Sequence, residues 1–295
     1  MKILMAGYGN SSWKIRGAQL APLIGADVIK HPSDVFNYDV LIVVKNVSDK
    51  RIIDNACTHN IPVVWDVVDN WPQLVRRGSG IDGGNVWNRD ESLTWIRRLM
   101  RTIRPSAFVV NTSMMENDFA VFNLPVLNLP HHSKPGITRN PIRHRVQKVG
   151  YEGGLPVIGR WLSIVQQECM KRGWEFVVDA GGVGESAFKY ADVDIGIGLR
   201  HDVDGYMSTN WKPVVKLANM HASGTPCILS PTKSLEELAV GGEVWVSTTQ
   251  ELSNAFDMLQ SYDTRLAISK QLLTGTITID DIAKKYRQWL QVVFS

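Results

Sequence analysis

The sequence predicts an α/β protein made of two Rossmann-like, doubly wound domains facing a cleft, and three observations predict it. Short, almost uninterrupted apolar runs recur along the 295-residue chain, the pattern of parallel strands covered on both faces. Helix-periodic stretches separate them, so strand and helix alternate in βαβ fashion. The rhythm stops once, at residues 131–145, which are rich in Pro, His and Arg, and then restarts. Ligands of such sheets sit beyond the carboxyl ends of the strands, so the loops that follow strands hold the candidate residues.

In order, the first half predicts strands at 2–7, 28–30, 40–45, 62–67, 107–111 and 126–129, with helices at 16–24, 49–58, 91–104 and 114–119. The second half predicts strands at 147–151, 175–179, 193–198, 226–229 and 244–247. Its helices fall at 157–172, 214–223, 235–240, 250–261 and 280–292. The expected division is an N-terminal domain over 1–130, a linker over 131–145 and a C-terminal domain over 146–295. The last helix is one that can return to the N-terminal domain.

Hydrophobic residues are 44% and charged residues 21%, which excludes a disordered chain. A net charge of +3 gives no nucleic-acid signature by itself. Cys57, Cys169 and Cys227 lie in unrelated apolar segments and read as buried thiols, with no disulfide, zinc framework or other metal site. No apolar run reaches transmembrane length, and the N-terminus runs straight into a strand, so the expected location is cytoplasmic. Ten Trp outnumber eight Phe and seven Tyr. Several indoles are therefore expected on a surface that handles ring-shaped ligands, with core packing as the alternative.

The most informative segment runs from Trp211 to Ile228: WKPVVKLANMHASGTPCI. Pro213 suits a first helical position and Gly224 a helix stop. Lys212 and Lys216, one turn apart at the helix N-terminus, would join backbone N–H donors and the helix dipole in a diphosphate site. Lys216-Leu217, Asn219 and Ala222-x-Gly224-Thr225-Pro226 resemble the donor domain of nucleotide-sugar glycosyltransferases with the two-domain GT-B architecture. The resemblance implies an N-terminal acceptor domain and a C-terminal donor domain, with Asn219 positioning the donor's ribose. It departs from the large retaining families, which carry Glu where Asn219 and Trp211 stand, so the stereochemical outcome stays open.

Arg200 ends the strand that precedes this segment, where a guanidinium can grip phosphate oxygens; pairing with Asp202 or Asp204 is the alternative. The polar loop 201–210 reads as mobile. Gly153 and Gly154 follow the first strand of the second domain, where the resemblance places the donor diphosphate and a plain tight turn is the alternative. In the first domain, Gly7-Tyr8-Gly9 begins a dinucleotide fingerprint but lacks its third glycine, which makes an NAD-dependent enzyme a poor second. The resemblance makes Arg16, in the same loop, a phosphate or acceptor contact. Asp66, at a strand's carboxyl end, is a candidate to take a proton from an acceptor hydroxyl, and His131 a candidate sugar contact or base. Asp69 reads as a helix cap.

Arg97, Arg101 and Arg104 gather on one helix face, and Lys134, Arg139, Arg143, Arg145 and Lys148 make the linker basic. Such faces suit anionic membrane headgroups or DNA, or are simply solvated. The function implied is transfer of a sugar from a nucleoside-diphosphate-sugar to a hydroxyl acceptor: a glycan, a lipid-linked saccharide or a hydroxymethylated DNA base. No cofactor is required, since lysines and a helix terminus neutralise the departing diphosphate. The alternative is a non-catalytic nucleotide-sugar-binding relative.

Overall fold

The computed structural model describes residues 1–8, 11–71, 87–180, 188–201 and 205–294. The chain forms two compact units: Met1–His131, Gly205–Pro213 and Ile279–Ser295 make unit 1, and His132–Asp204 and Val214–Thr278 make unit 2. The helices, in chain order, are α1 (Ala21–Ile24), α2 (Arg51–Thr58), α3 (Arg89–Ile103), α4 (Ser113–Phe119), α5 (Leu155–Ile158), α6 (Trp161–Lys171), α7 (Tyr206–Asn210), α8 (Val215–Ser223), α9 (Lys233–Glu236), α10 (Thr249–Leu259), α11 (Tyr262–Leu273) and α12 (Ile279–Phe294). Among the described residues, no helix is long and apolar enough to cross a membrane.

Unit 1 is built on β1 (Ile3–Gly7), β2 (Ala26–Val28), β3 (Val40–Val44), β4 (Val63–Asp66), β5 (Ala107–Val110) and β6 (Val126–Asn128), all parallel in the order β2-β1-β3-β4-β5-β6. Every residue of β3, β4 and β5 is buried, which is why these strands read as continuous apolar runs. Asn88 starts α3 with a capping box: its side chain accepts from Glu91 N at 3.0 Å, and Glu91 accepts from Asn88 N at 2.8 Å.

For three tryptophans the core-packing alternative holds. Trp65, Trp71 and Trp211 lie in the core of unit 1 with Phe108 and Phe119, and Trp211 Nε1 donates to Asp118 at 2.8 Å. An aromatic ring that buries 150–250 Å² at roughly 25 cal/mol per Å² contributes about 4–6 kcal/mol, so packing accounts for these indoles. Residues 206–210, expected as part of a mobile loop, are the helix α7 in unit 1, where Tyr206 Oη donates to Asp118 at 2.7 Å.

Unit 2 holds β7 (Lys148–Glu152), β8 (Glu175–Asp179), β9 (Ile195–Gly198), β10 (Cys227–Leu229) and β11 (Val244–Trp245), parallel in the order β11-β10-β9-β7-β8. Gly224 ends α8 at φ +63°, a left-handed cap that favours glycine. Below it a buried pair ties α8 to β11's approach: His221 Nε2 and Glu243 Oε1 are 2.7 Å apart. Burial opposes the Glu243 charge, but the His221 bond and the Val240 amide hold its pKa down at about 2. Asn140, within the basic segment, is buried and donates to the carbonyls of Tyr190 (3.0 Å) and Val193 (2.6 Å).

Candidate functional site

At the carboxyl end of β7 the chain turns through Gly153, whose φ of +134° is one that residues with a Cβ rarely adopt. Its amide donates to Asp179 O at 2.8 Å. A Cβ at this position would lie 2.7 Å from Lys216 Nζ, so the missing side chain is what lets the ammonium approach the backbone. Lys216 sits in the first turn of α8, and its Nζ lies 4.1 Å from the centroid of the Tyr151 ring. Tyr151 Oη donates to Gly154 O at 3.0 Å and fixes the turn. Bare backbone, a helix N-terminus and a cation thus meet at one strand end, a combination that favours a phosphate group.

On the same sheet edge, Arg200 follows β9 and opens onto a cavity of about 320 Å³, lined also by Arg160, Trp161, His201, Ser230 and Ser247. Arg200 N donates to Ser230 Oγ at 2.9 Å, and Trp161 Nε1 donates to Arg200 O at 3.1 Å. The volume and the single indole wall suit a small planar ligand group. Asp202 and Asp204, the alternative partners of Arg200, lie outside the described residues.

Two other sequence-predicted members of this site have partners of their own. Asn219 has no exposed surface, and its Oδ1 accepts from Lys134 N at 2.8 Å, so it braces the start of unit 2. Lys212 belongs to unit 1, with its Nζ 3.6 Å from Asp69 Oδ2. Four residues of linear spacing implied a shared helix turn, but α8 begins only at Val215.

In unit 1, Arg16 and Asp66 are both fully buried and bond each other, Nε to Oδ2, at 3.0 Å. Arg16 Nη1 also donates to the carbonyls of Leu129 (3.0 Å) and Pro130 (3.1 Å). Burial pushes the Asp66 pKa up against the pull of Arg16. Both side chains have 0% exposure, and the pair is an internal tie in unit 1. Arg16 lies in a stretch of π-helix, Trp13–Ala18, whose Trp13 ring occupies the space a Cβ on Gly7 or Gly17 would need (2.2 and 2.1 Å). Ring packing therefore accounts for Gly7, and Gly9 of the dinucleotide fingerprint lies outside the described residues. His131 is buried at 1% exposure, away from solvent that a base or sugar contact would share.

The acid that the sequence reading assigned to a helix cap is Asp69. Lys45 Nζ is 2.8 Å from its Oδ1, and Ser12 Oγ donates to the same oxygen at 3.3 Å. Burial alone would raise the Asp69 pKa, but Lys45 and Lys212 outweigh it and hold the carboxyl below its ordinary value. Two non-glycine residues beside it are left-handed, Lys45 at φ +62° and Val68 at φ +52°. Trp65 Nε1 (3.0 Å) and Asn70 Nδ2 (2.6 Å) both donate to Lys45 O, and Asn111 Nδ2 donates to Val68 O. Strain held in place by this many bonds is characteristic of functional sites. No sequence signal marks it, because a left-handed valine cannot be read from composition.

No protein-family model matches the chain, and no curated protein matches it either. Solved structures do. One is HepE from Anabaena in complex with UDP and glucose, at 12% identity over 99% of this chain and 100% of that one, with a TM-score of 0.60. Sucrose-phosphate synthase from Thermosynechococcus elongatus is similar at 11% identity over 100% and 95%, TM-score 0.53. A UDP-N-acetylglucosamine 2-epimerase is similar at 11% identity over 98% and 95%, TM-score 0.56. One fold thus carries transfer and epimerisation alike, so the site and not the fold must decide the chemistry. Over essentially its whole length, the chain has the GT-B fold of nucleotide-sugar glycosyltransferases.

Proposed function

We propose that this protein is a glycosyltransferase that binds a nucleoside-diphosphate-sugar on unit 2 and passes the sugar to a hydroxyl acceptor. The observation that carries the reading is the approach of Lys216 to the side-chain-free Gly153 in the first turn of α8. A diphosphate laid there meets an ammonium and the N-terminus of α8, and the cavity beside Arg200 and Trp161 takes the base. Negative charge grows on the diphosphate as the glycosidic bond breaks, so a fixed cation lowers the barrier by favouring the departing group. Likeness to HepE, which was solved with UDP-glucose, makes UDP-glucose the first donor to try. On unit 1, Asp69 is the ionised carboxylate to test as the acceptor-side group.

The test is calorimetric titration with UDP, followed by UDP-glucose turnover. Lys216→Ala is expected to weaken UDP binding at least tenfold, the worth of one charge-assisted hydrogen bond or more. Lys212→Ala should leave it unchanged. UDP bound equally by wild type and Lys216→Ala would refute the site, and UDP bound without turnover by any acceptor would favour a binding module.

A further inference from the structure

The C-terminal two turns of α3 and its C-cap carry Arg97, Arg98, Arg101 and Arg104, and no acid occurs between Ser92 and Ser106. All four are exposed. Arg104 pairs with Asp54, whereas Arg97, Arg98 and Arg101 have no carboxylate partner among the described residues. In the 131–148 segment two of the basic residues are paired, Arg143 with Asp194 at 3.1 Å and Lys148 with Glu175 at 3.1 Å. Two of the three α3 arginines lie on rings instead, Arg97 5.7 Å from the Phe122 centroid and Arg98 5.8 Å from that of Trp95. Next to Phe122, Val121 is 45% exposed on a short 3-10 turn, a large apolar side chain directed to solvent beside the positive face.

We propose that this face of α3, with the Val121–Phe122 turn, docks unit 1 onto a bilayer bearing anionic headgroups. Three guanidinium groups without acids complement a negative surface, each adding about fivefold to partitioning. An exposed valine beside them offers the apolar contact that a headgroup–acyl boundary rewards. A polynucleotide is the less suitable partner. A single strand would need ring faces on which to stack its bases, and a guanidinium already lies over Phe122 and Trp95; a duplex, held through its phosphates, gains nothing from the exposed Val121. The apolar side of α3 is spent on the core of unit 1, so the contact is peripheral and should weaken with salt.

Co-sedimentation of the full chain with vesicles of phosphatidylcholine alone and of phosphatidylcholine with phosphatidylglycerol tests it. The wild type should partition only to the anionic vesicles, and Arg97→Glu/Arg98→Glu/Arg101→Glu should lose at least 100-fold. If that variant fails to fold, Arg97→Gln/Arg98→Gln should lose at least tenfold. Val121→Asp should lose severalfold while leaving UDP binding intact. Equal binding to neutral vesicles, retention by the arginine variants, or preference for a DNA duplex that Val121→Asp does not affect would each overturn the proposal.

Discussion

Asp66→Ala separates a structural role from a catalytic one. The substitution leaves Arg16 charged, fully buried and deprived of the carboxylate 3.0 Å from its Nε. The Leu129 and Pro130 carbonyls still hold Nη1 and keep the guanidinium from leaving. An uncompensated buried charge costs about 3–5 kcal/mol. At about 2 kcal/mol per M, that moves the urea midpoint of unit 1 down by about 2 M. Removing both partners, as in Arg16→Met/Asp66→Leu, should recover part of the loss. The residual is the orphaned Leu129 and Pro130 carbonyls, at about 1–3 kcal/mol. Because the two units need not unfold together, hydrogen exchange at the β1, β3 and β4 amides is the assay, with the β7 and β9 amides as an internal control. Exchange within about 1 kcal/mol of wild type, with turnover of UDP-glucose abolished, would refute this reasoning and return Asp66 to the chemistry.

Gly153→Ala should weaken UDP binding roughly tenfold, as Lys216→Ala does, since a Cβ 2.7 Å from Lys216 Nζ must displace the ammonium; unchanged affinity in calorimetry would show that the close approach is incidental. Unit 2 should lose stability as pH falls from about 4.5 toward 2, because Glu243 ionises in the folded state at about 2 and from 4.5 when unfolded. Its stabilising contribution is complete above that window and disappears below it. Glu168, also held near 2, follows the same sign through its Lys171 bond, so Glu243→Gln should flatten the acid limb of a thermal-melt profile only in part.

The parallel strands were legible because burial on both faces writes them as unbroken apolar runs, and β3, with all five residues buried, is the plainest case. Helix α11 was not legible. Its buried face consists of Arg265, Ser269 and Leu272, and Arg265 Nη1 and Nη2 donate to the carbonyls of Arg143 (2.9 Å) and His144 (3.1 Å). A helix that packs through polar groups leaves no hydrophobic period to detect. At the donor site, Lys216 and Gly153 were readable from helix-terminus and glycine logic, which depend on local backbone alone. Lys212 was misplaced because the chain changes unit between Pro213 and Val214, within an unbroken stretch of sequence. Asp66 and Asp69 show the same limit at finer scale. Three residues apart, one closes β4 inside the core and the other follows a left-handed valine to Lys45, a reversal that strand alternation cannot foresee.

Unit 1 is stitched from three separate stretches, and α12 supplies it with the buried Ile282, Ala283, Tyr286 and Leu290. During synthesis its six strands are all made before residue 130, yet the buried side chains of α12 follow roughly 150 residues later, which at 5–20 residues per second is a wait of about 8–30 seconds. Vectorial folding therefore favours unit 2, whose segments are finished by Thr278, as the first to consolidate. A chain truncated after Thr278 should resist protease in unit 2 while unit 1 is still digested.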